Sequence, residues 1–189
     1  AMNLERFAGA QSTEVIAYAG QGGLGLPDRD YYLKDDEESK QIREKYLAHV
    51  QKMFALMGED EKRAAADAKT VMDLEAKLAE ASMTRVERRD PESTYNRKTA
   101  DDLAKLTPHF SWAAYFKGLG IAPAAVNVAQ PKFFEALDKQ LASVPLDNWK
   151  TYLRWHLISG TAPELSKAFV DENFDFYGRT LTGTPENEE

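Results

Sequence analysis

The sequence predicts a mainly α fold, a multi-helix bundle with a long antiparallel helical hairpin and at most a small two-stranded β element. Three observations predict this fold class. Apolar residues recur with the 3.6-residue helical period over most of the chain after Asp35. Two long periodic runs follow each other with only Glu59–Asp60 between them. Short runs typical of β-strands occur at only two places, 13–19 and 125–128.

Composition excludes several classes of function for this chain of 189 residues, whose length suits one ordinary domain or two small ones. The absence of cysteine excludes disulfides, thiolate zinc sites, iron–sulfur clusters and cysteine nucleophiles. The 24 basic and 31 acidic residues give a net charge of −7, which disfavours nucleic acid as a partner. No run approaches the ~18 apolar residues of a membrane span, so we expect none here.

The N-terminal residues are predicted to hold one strand and a loop, within segment 13–34. Residues 1–12, which open with an apparent tag remnant at Ala1–Met2, show no period, and we expect an irregular lead-in. Thr13–Ala19 is short and rich in β-branched and aromatic residues, which predicts a strand. Gly20–Pro27 contains four glycines and a proline, which predicts irregular backbone.

A helical lobe is predicted over residues 35–183, and it opens with the hairpin. Asp35, with Glu38 three residues later, predicts a capped helix start, and Gly58 predicts the end of that helix. The alanine-rich run Glu61–Ser82 follows at once, so the two helices must fold back antiparallel. The apolar positions that define them are Ile42, Tyr46, Val50, Met53, Phe54, Met57, Val71, Leu74 and Leu78.

Shorter elements complete the lobe. They are a short helix or turn opened by Asp90–Pro91, helices at Thr99–Leu106 and Ser111–Leu119, a second short strand at Ala125–Val128 and a helix starting at Gln130–Pro131. We expect Asp147 to cap the next helix. Thr161 and Glu164 are expected to form a capping box for a last helix that runs towards Gly178. Residues 184–189 are predicted to be a frayed tail.

Gly20–Gly25 match the G-x-G-x-x-G pattern of dinucleotide-binding loops. Such a site needs a helix that opens inside the motif, so that its N-terminus meets the pyrophosphate. Here Leu26–Pro27 follow, no helix is predicted before Asp35, and no βαβ unit is predicted. We therefore expect a glycine-rich turn, and a nucleotide-dependent enzyme stays a distant alternative.

The three histidines predict no metal site. His49, His109 and His156 are too far apart in sequence to pair on one helix, so the H-E-x-x-H arrangement of zinc hydrolases is absent. We expect His156 to be packed and hydrogen-bonded, and His49 to be solvated or capped. Glu172 and Asp175 are expected on a solvated helix face. The sequence thus assigns no catalytic and no metal-ligating residue, and leaves substrate-binding residues unknown.

Arg85, Arg88 and Arg89 form a local basic cluster. Because Glu87 and Asp90 are interleaved with these arginines, we expect ion pairs rather than a site for an anion.

The last two helices carry apolar residues on more than one face. In the first of them Leu146, Trp149, Leu153 and Leu157 form one stripe, whereas Tyr152, Trp155 and Ile158 occupy other sides. A helix that is apolar nearly all round belongs in an interior. Either both helices are central in this chain, or one stripe packs on polypeptide that the chain does not contain. The sequence leaves both readings open.

Several segments of the chain are distinctive. They are Q-G-G-L-G-L-P-D-R-D-Y-Y-L at Gln21–Leu33, L-E-A-K-L-A-E-A at Leu74–Ala81, R-V-E-R-R-D-P at Arg85–Pro91 with Tyr95–Asn96, F-S-W at Phe110–Trp112, W-K-T-Y-L-R-W-H at Trp149–His156 and A-F-V-D-E-N-F-D-F-Y-G-R-T-L-T-G at Ala168–Gly183. In the same order, they resemble the N-terminal region of the neprilysin and endothelin-converting enzyme family of zinc metallopeptidases, in its bacterial branch. The resemblance covers the chain from about Thr13.

The resemblance implies a fragment of the N-terminal lobe of a longer enzyme. The family's H-E-x-x-H, E-x-x-x-D and N-A-x-Y motifs are not in this sequence, so no family catalytic or zinc residue carries over to any position. The parent is implied to hold one zinc ion and to hydrolyse peptides, whereas this fragment is expected to hold no cofactor and to be inactive alone. Its implied role is the wall or lid of a chamber that admits peptides, and its implied partner is the parent's zinc lobe.

Further expectations follow from the resemblance. Arg29, between Asp28 and Asp30, is expected to buttress helix ends rather than to contact substrate. The parent is expected to be exported, in the periplasm or cell envelope, and a homodimer through the exposed apolar faces is expected. The alternative is a free-standing helical module that binds peptides or itself.

Overall fold

The structure, a computed structural model, describes residues 6–8 and 15–184, and their fold is mainly α, as predicted. The predicted tag remnant at Ala1–Met2, most of the predicted lead-in and the tail beyond residue 184 lie outside the described residues. Arg6–Ala8, within the predicted lead-in, forms a strand.

The helices are α1 (Asp30–Leu33), α2 (Glu37–Leu56), α3 (Glu61–Ala81), α4 (Pro91–Thr94), α5 (Ala100–Leu106), α6 (Trp112–Gly118), α7 (Pro131–Ser143), α8 (Leu146–Thr161) and α9 (Lys167–Asn173). The strands are β1 (Arg6–Ala8), β2 (Val15–Ala19), β3 (Arg97–Lys98) and β4 (Val126–Val128). Two 3₁₀ turns, Glu87–Arg89 and Ala162–Glu164, and a π-helix, Phe174–Leu181, complete the described elements.

The chain forms two compact units. The first contains the described residues up to Leu24 together with Leu78–Val144, and it holds the sheet and α4 to α7. The second contains Gly25–Lys77 together with the described residues from Pro145 onward, and it holds α1, α2, most of α3, α8, α9 and the π-helix. No described helix is long and apolar enough to cross a lipid bilayer.

The sheet of the first unit is larger than the predicted two-stranded element. Its order is β1-β2-β4-β3, in which the two predicted strands, β2 and β4, pair in parallel and the other pairs are antiparallel. The register places Ala17 opposite Val126, and Arg97 opposite Asn127. The two added edge strands have only three and two residues, which is too short for a period-2 pattern to appear in the sequence.

Three predicted helix starts in the first unit are confirmed, and a side chain caps each of them. The Asp90 carboxylate accepts the N–H of Glu92 at 3.1 Å, and Pro91 begins α4. Thr99 and Asp102 form a reciprocal capping box at the start of α5. Ser111 accepts the N–H of Ala114 at 3.2 Å at the start of α6. Each cap satisfies a backbone donor that the first turn of a helix leaves free.

The helical hairpin of α2 and α3 is present, with its start one residue later than predicted. The N-cap is Asp36 rather than Asp35, because the extended backbone of Asp36 lets its carboxylate accept the N–H of Ser39 at 2.9 Å. Gly58 follows the C-terminal residues of α2 with a φ of +93°, a conformation that favours glycine. Tyr46 on α2 donates its hydroxyl to Glu75 on α3 at 2.8 Å and so joins the two helices.

Two predicted helix starts are wrong. α8 begins at Leu146 after Pro145, and Asp147 lies in its first turn, where it accepts a hydrogen bond from Lys150 at 2.8 Å. Thr161 makes no capping bond, because it still has helical backbone and its hydroxyl donates to the carbonyl of Leu157 at 2.8 Å. The chain passes through the 3₁₀ turn, and α9 opens only at Lys167.

The C-terminal helix is continuous from α9 into the π-helix, which runs past Gly178 to Leu181. A Cβ at Gly178 would lie 2.7 Å from the ring of Phe174, so the close approach of the ring to the backbone requires glycine there. The buried apolar side chains of the second unit include Tyr46, Val50, Met53, Phe54, Val71, Leu74, Trp155 and Phe176.

Candidate functional site

The clearest candidate site is an exposed apolar face on α8. Leu146, Leu153 and Leu157 lie seven and four residues apart, which places them on one side of the helix. Their exposed fractions are 69%, 62% and 67%, although leucine is a residue that folding normally buries. We call these three residues the α8 leucine face. Grouped exposed apolar residues of this kind mark interaction surfaces.

The opposite side of α8 is part of the core of the second unit. Tyr152, Trp155 and Ile158 are buried. The indole N–H of Trp155 donates to the hydroxyl of Tyr46 at 2.9 Å, and the two rings meet edge to face with centroids 6.0 Å apart. This side fixes the helix, so the α8 leucine face is held in place without making its own contacts in the core.

Glu75 on α3 is fully buried at the centre of a polar network in the second unit. Its Oε2 accepts hydrogen bonds from Tyr32 at 2.7 Å and from Tyr46 at 2.8 Å. His156 Nε2 lies 3.1 Å from its Oε1. Burial, and then the charge of Glu75, raise the pKa of both tyrosines far above the ordinary value. The tyrosines therefore remain protonated donors, and the network holds α1, α2, α3 and α8 together.

The glycine-rich loop is built into the fold rather than open to a phosphate. The N–H of Gln21 donates to Gln130 at 2.8 Å in the first unit. In the second unit the N–H groups of Gly25 and Leu26 donate to the hydroxyl of Tyr32 at 3.1 and 2.9 Å. Because these donors are already bonded and α1 begins only at Asp30, the arrangement that a dinucleotide site needs is not formed.

Among the glycines of the second unit, Gly25 leaves the least room for a Cβ. A Cβ there would lie 1.8 Å from the hydroxyl oxygen of Tyr46, so no other residue fits without a shift. The hydroxyl of Tyr177 donates to the carbonyl of Gly25 at 3.2 Å, and burial raises the pKa of Tyr177 to about 12. The loop is therefore fixed from two sides.

His49 and Glu172 are placed otherwise than the sequence suggested. His49 is buried, its Nδ1–H donates to Glu172 at 2.9 Å, and its ring stacks on Phe176 with centroids 4.7 Å apart. Glu172 is also buried, and its second oxygen pairs with Lys52. Burial alone would raise the pKa of Glu172, but the hydrogen bonds from His49 and Lys52 lower it. Helical periodicity showed neither pairing of Glu172, because both partners lie far away in sequence; His49 is 123 residues away.

The three histidines contact three different carboxylates. His109 Nδ1–H donates to Asp138 at 2.9 Å, in addition to the pairs that His49 and His156 make. In the described part of the chain no three His, Cys, Asp or Glu side chains are grouped so that they could hold a metal ion. The described residues therefore do not fit a zinc ion.

The other residues that the sequence analysis considered, the arginine cluster and Asp175, lie on the surface. Arg85, Arg88 and Arg89 are exposed, and Glu87 accepts the N–H and hydroxyl of Thr84 at 2.7 and 2.8 Å. Asp175, expected in solvent, pairs with Arg179 at 2.6 Å on the surface.

An arginine that the sequence did not single out binds the end of a helix. Arg43 donates to the carbonyls of Tyr31 and Lys34 at 2.7 and 2.8 Å, at the C-terminal end of α1. Arg29 lies 3.8 Å from the carboxylate of Asp30. The spacing of Arg43 from α1 gives no local signal, because the two elements meet only after α2 has folded back.

Comparison with known proteins identifies the family to which this fold belongs. The model of peptidase family M13, in its N-terminal part, matches residues 7–189. Endothelin-converting enzyme 1 of Cavia porcellus is 28% identical over 185 residues, and the match covers 92% of this chain and 24% of that protein. An endothelin-converting enzyme homolog of Locusta migratoria is 30% identical over 175 residues, with 85% of this chain and 24% of that protein covered.

A solved structure agrees closely. The zinc metalloprotease Zmp1 of Mycobacterium tuberculosis in its open state superposes with a TM-score of 0.92 at 35% identity, over 100% of this chain and 29% of that one. Its complex with an inhibitor gives a TM-score of 0.88 at 36% identity, over 94% of this chain and 27% of that one. This chain therefore spans about a quarter of the length of its relatives. The match over residues 7–189 shows that the chain belongs to peptidase family M13, as the helical N-terminal part of that family.

Proposed function

We propose that this chain is part of the N-terminal lobe of a neprilysin-like zinc endopeptidase, where it forms the wall or lid of a chamber that admits peptides. Hydrolysis and the zinc ion then belong to the remaining part of the parent chain. Family membership supports this role, since the chain spans 24% to 29% of the relatives that it matches. The histidines support it too, because each of the three lies against a separate carboxylate and they do not converge on one point.

The observation that carries the proposal is the α8 leucine face. Its three leucines are each more than 60% exposed on a helix whose other side is fixed in the core. Burying an exposed leucine side chain contributes about 1.5–3 kcal/mol, so covering this face by further polypeptide is favourable. We propose that the catalytic zinc lobe of the parent chain covers this face. Peptide substrates are the proposed second partner, of the whole enzyme.

The first test is to extend the reading frame of the natural gene. We expect an H-E-x-x-H motif downstream, followed by an E-x-x-x-D element, because these residues supply the zinc ligands in the proposed parent. A stop codon soon after residue 189, with no such motif, would contradict the proposal and favour a free-standing helical module. The same extension upstream would test the proposed export of the parent, which a signal or lipid-anchor sequence would support.

A second test uses the chain by itself. With the α8 leucine face uncovered, we expect the purified chain to self-associate, and Leu153→Gln with Leu157→Gln to make it monomeric in sedimentation at high concentration. Val86→Gln provides the control, because Val86 is 75% exposed but lies in the first unit. A wild-type chain that stays monomeric would overturn the proposed dimer, and dissociation by the Val86 variant would assign the contact to another surface.

A further inference from the structure

A pocket of about 440 Å³ opens in the first unit. Residues of β3, α5, α6 and β4, with the loops that join them, line it. The volume lies within the range of small-molecule pockets, about 300–1,000 Å³. The proposed function does not use this pocket, although Phe110–Trp112 of its lining form one of the segments that carry the family resemblance.

Aromatic rings form much of its wall. Phe110, Trp112 and Phe116 line the pocket, and the ring of Trp112 lies 5.1 Å from that of Phe110 and 5.5 Å from that of Phe116, between centroids. The indole N–H of Trp112 donates to the hydroxyl of Thr107 at 2.7 Å, which fixes the plane of the ring. Leu103 adds a buried aliphatic surface. These walls suit an aromatic or branched aliphatic side chain.

Among the described residues, the lining carries one charged side chain, that of Lys98. Lys98 and His109 line the pocket, and its described lining contains no aspartate or glutamate. Asp102, whose charge acts on Lys98, is not a lining residue and is engaged by Thr99 in the capping box of α5. A ligand that brings a negative charge to Lys98 would find complementary charge there.

His109 is held in a fixed orientation. Asp138 is buried, and its carboxylate accepts the backbone N–H of His109 at 2.8 Å and the ring Nδ1–H at 2.9 Å. Because the ring donates its Nδ1–H to Asp138, Nε2 is a hydrogen-bond acceptor in the neutral imidazole. An Asp138–His109 pair of this kind orients the imidazole in the same way that a carboxylate orients a metal-ligating or catalytic histidine.

We propose that this pocket binds an apolar carboxylate, whose aromatic or branched aliphatic side chain packs against the rings and whose carboxylate pairs with Lys98. The C-terminal residue of a peptide and a free amino-acid derivative share this chemistry. The pocket is formed entirely by the first unit, so the proposal is independent of the proposed function and of the α8 leucine face.

The test is a titration of the 189-residue chain with four probes: N-acetyl-phenylalanine, its amide, a hexapeptide that ends in phenylalanine, and the same hexapeptide amidated. Binding is measured by calorimetry and by the NMR shift of the assigned Trp112 indole N–H. We expect the acids to bind about tenfold more tightly than the amides, because a hydrogen bond to a charged group is lost in the amide. Equal affinity of acid and amide would overturn the proposal, as would the absence of binding by any probe.

The two sources of the carboxylate separate in the same experiment. Tight binding of the hexapeptide acid identifies a peptide C-terminus, whereas binding of N-acetyl-phenylalanine alone identifies a small free acid. Either result supports the shared chemistry.

Variants then locate the site. Lys98→Gln should weaken acid binding about tenfold and leave amide binding unchanged, whereas Lys105→Gln should change neither, because Lys105 lies on α5 outside the lining. Ala104→Phe, at an exposed lining position, should fill the pocket and abolish binding of all probes. Binding that survives both Lys98→Gln and Ala104→Phe lies elsewhere and overturns the proposal.

Discussion

Glu75 accepts hydrogen bonds from Tyr32 and Tyr46, and Tyr46 in turn accepts one from Trp155. A buried carboxylate is stabilised only when such donors replace water. Single residues around this network therefore have large effects, because removing one partner leaves another buried polar group without its bond. Gly25 belongs to the same region, since the hydroxyl of Tyr46 occupies the space that a Cβ would take.

Gly25→Ala should destabilise the chain by about 1–3 kcal/mol, because its methyl group must displace the hydroxyl of Tyr46 or the loop itself. The matched substitution is Gly160→Ala on α8, where a Cβ meets no atom within 4 Å. Since alanine favours a helix over glycine, Gly160→Ala should stabilise by about 0.5–1 kcal/mol. Urea unfolding measures both changes, and equal effects of the two variants would show that the close approach at Gly25 is absent.

Glu172 provides a pH-dependent test. Its pKa is lowered in the folded state relative to the ordinary value of 4.5, so its contribution to stability is present above that value and is lost as the pH falls through the lower folded pKa. Glu172→Gln should cost about 1.5–3 kcal/mol at pH 7, because the charged bonds with His49 and Lys52 weaken.

The difference in unfolding free energy between wild type and Glu172→Gln should shrink as the pH is lowered below 4.5. A difference that stays constant down to pH 3 would mean that Glu172 does not titrate in the way described. Asp175→Asn is the control, since Asp175 is a half-exposed residue three positions away whose carboxylate pairs with Arg179 rather than with His49 or Lys52.

At the scale of elements, α8 combines two faces with opposite surroundings. The side that carries Trp155 is buried, and the side that carries the α8 leucine face is exposed. The two stripes of this helix differ: Tyr152, Trp155 and Ile158 belong to the core, whereas the leucines of the other stripe are exposed and its Trp149 is half-buried against Tyr152. The hairpin of α2 and α3 differs, because most of its periodic apolar residues are buried, although Met57 at the end of α2 is exposed.

Substitutions of one buried and one exposed leucine test this difference between the two surfaces through their effects on stability. Leu78 on α3 is 2% exposed, so Leu78→Ala should destabilise by about 2–5 kcal/mol through the lost burial and the cavity that it leaves. Leu157→Ala on α8 removes the same atoms from an exposed position and should change the free energy of unfolding by less than about 0.5 kcal/mol. Thermal or urea unfolding of the two variants as monomers provides the comparison. A small cost at Leu78 would place that residue outside the interior.

At the scale of the whole molecule, local signals predicted most of the fold. The helical period and the residues that open helices at Asp90, Thr99 and Ser111 placed the helices, because both depend on residues within one or two turns. Two local assignments were wrong, since Asp147 and Thr161 do not cap helices. The edge strands β1 and β3, and the burial of His49 and Glu172 against each other, depend on distant partners. Such pairings become visible only when the folded chain brings the segments together.

The candidate sites show the same contrast between local signals and distant partners. The sequence identified the surplus of apolar residues on α8 and the absence of a metal-ligating motif, since both can be read within one helix. It did not identify the pocket in the first unit, because Lys98, His109 and Trp112 come from β3, a loop and α6. Nor did it choose which stripe of α8 is exposed, since that depends on the position of Tyr46 on α2.

The most direct test of the central claim is a peptide-cleavage assay with a fluorogenic peptide and added zinc, with and without a chelator. The purified 189-residue chain should show no chelator-sensitive cleavage, and co-expression with the remainder of the parent chain should yield it. Zinc-dependent cleavage by the 189 residues alone would contradict the account, because the chemistry would then lie within this part of the molecule.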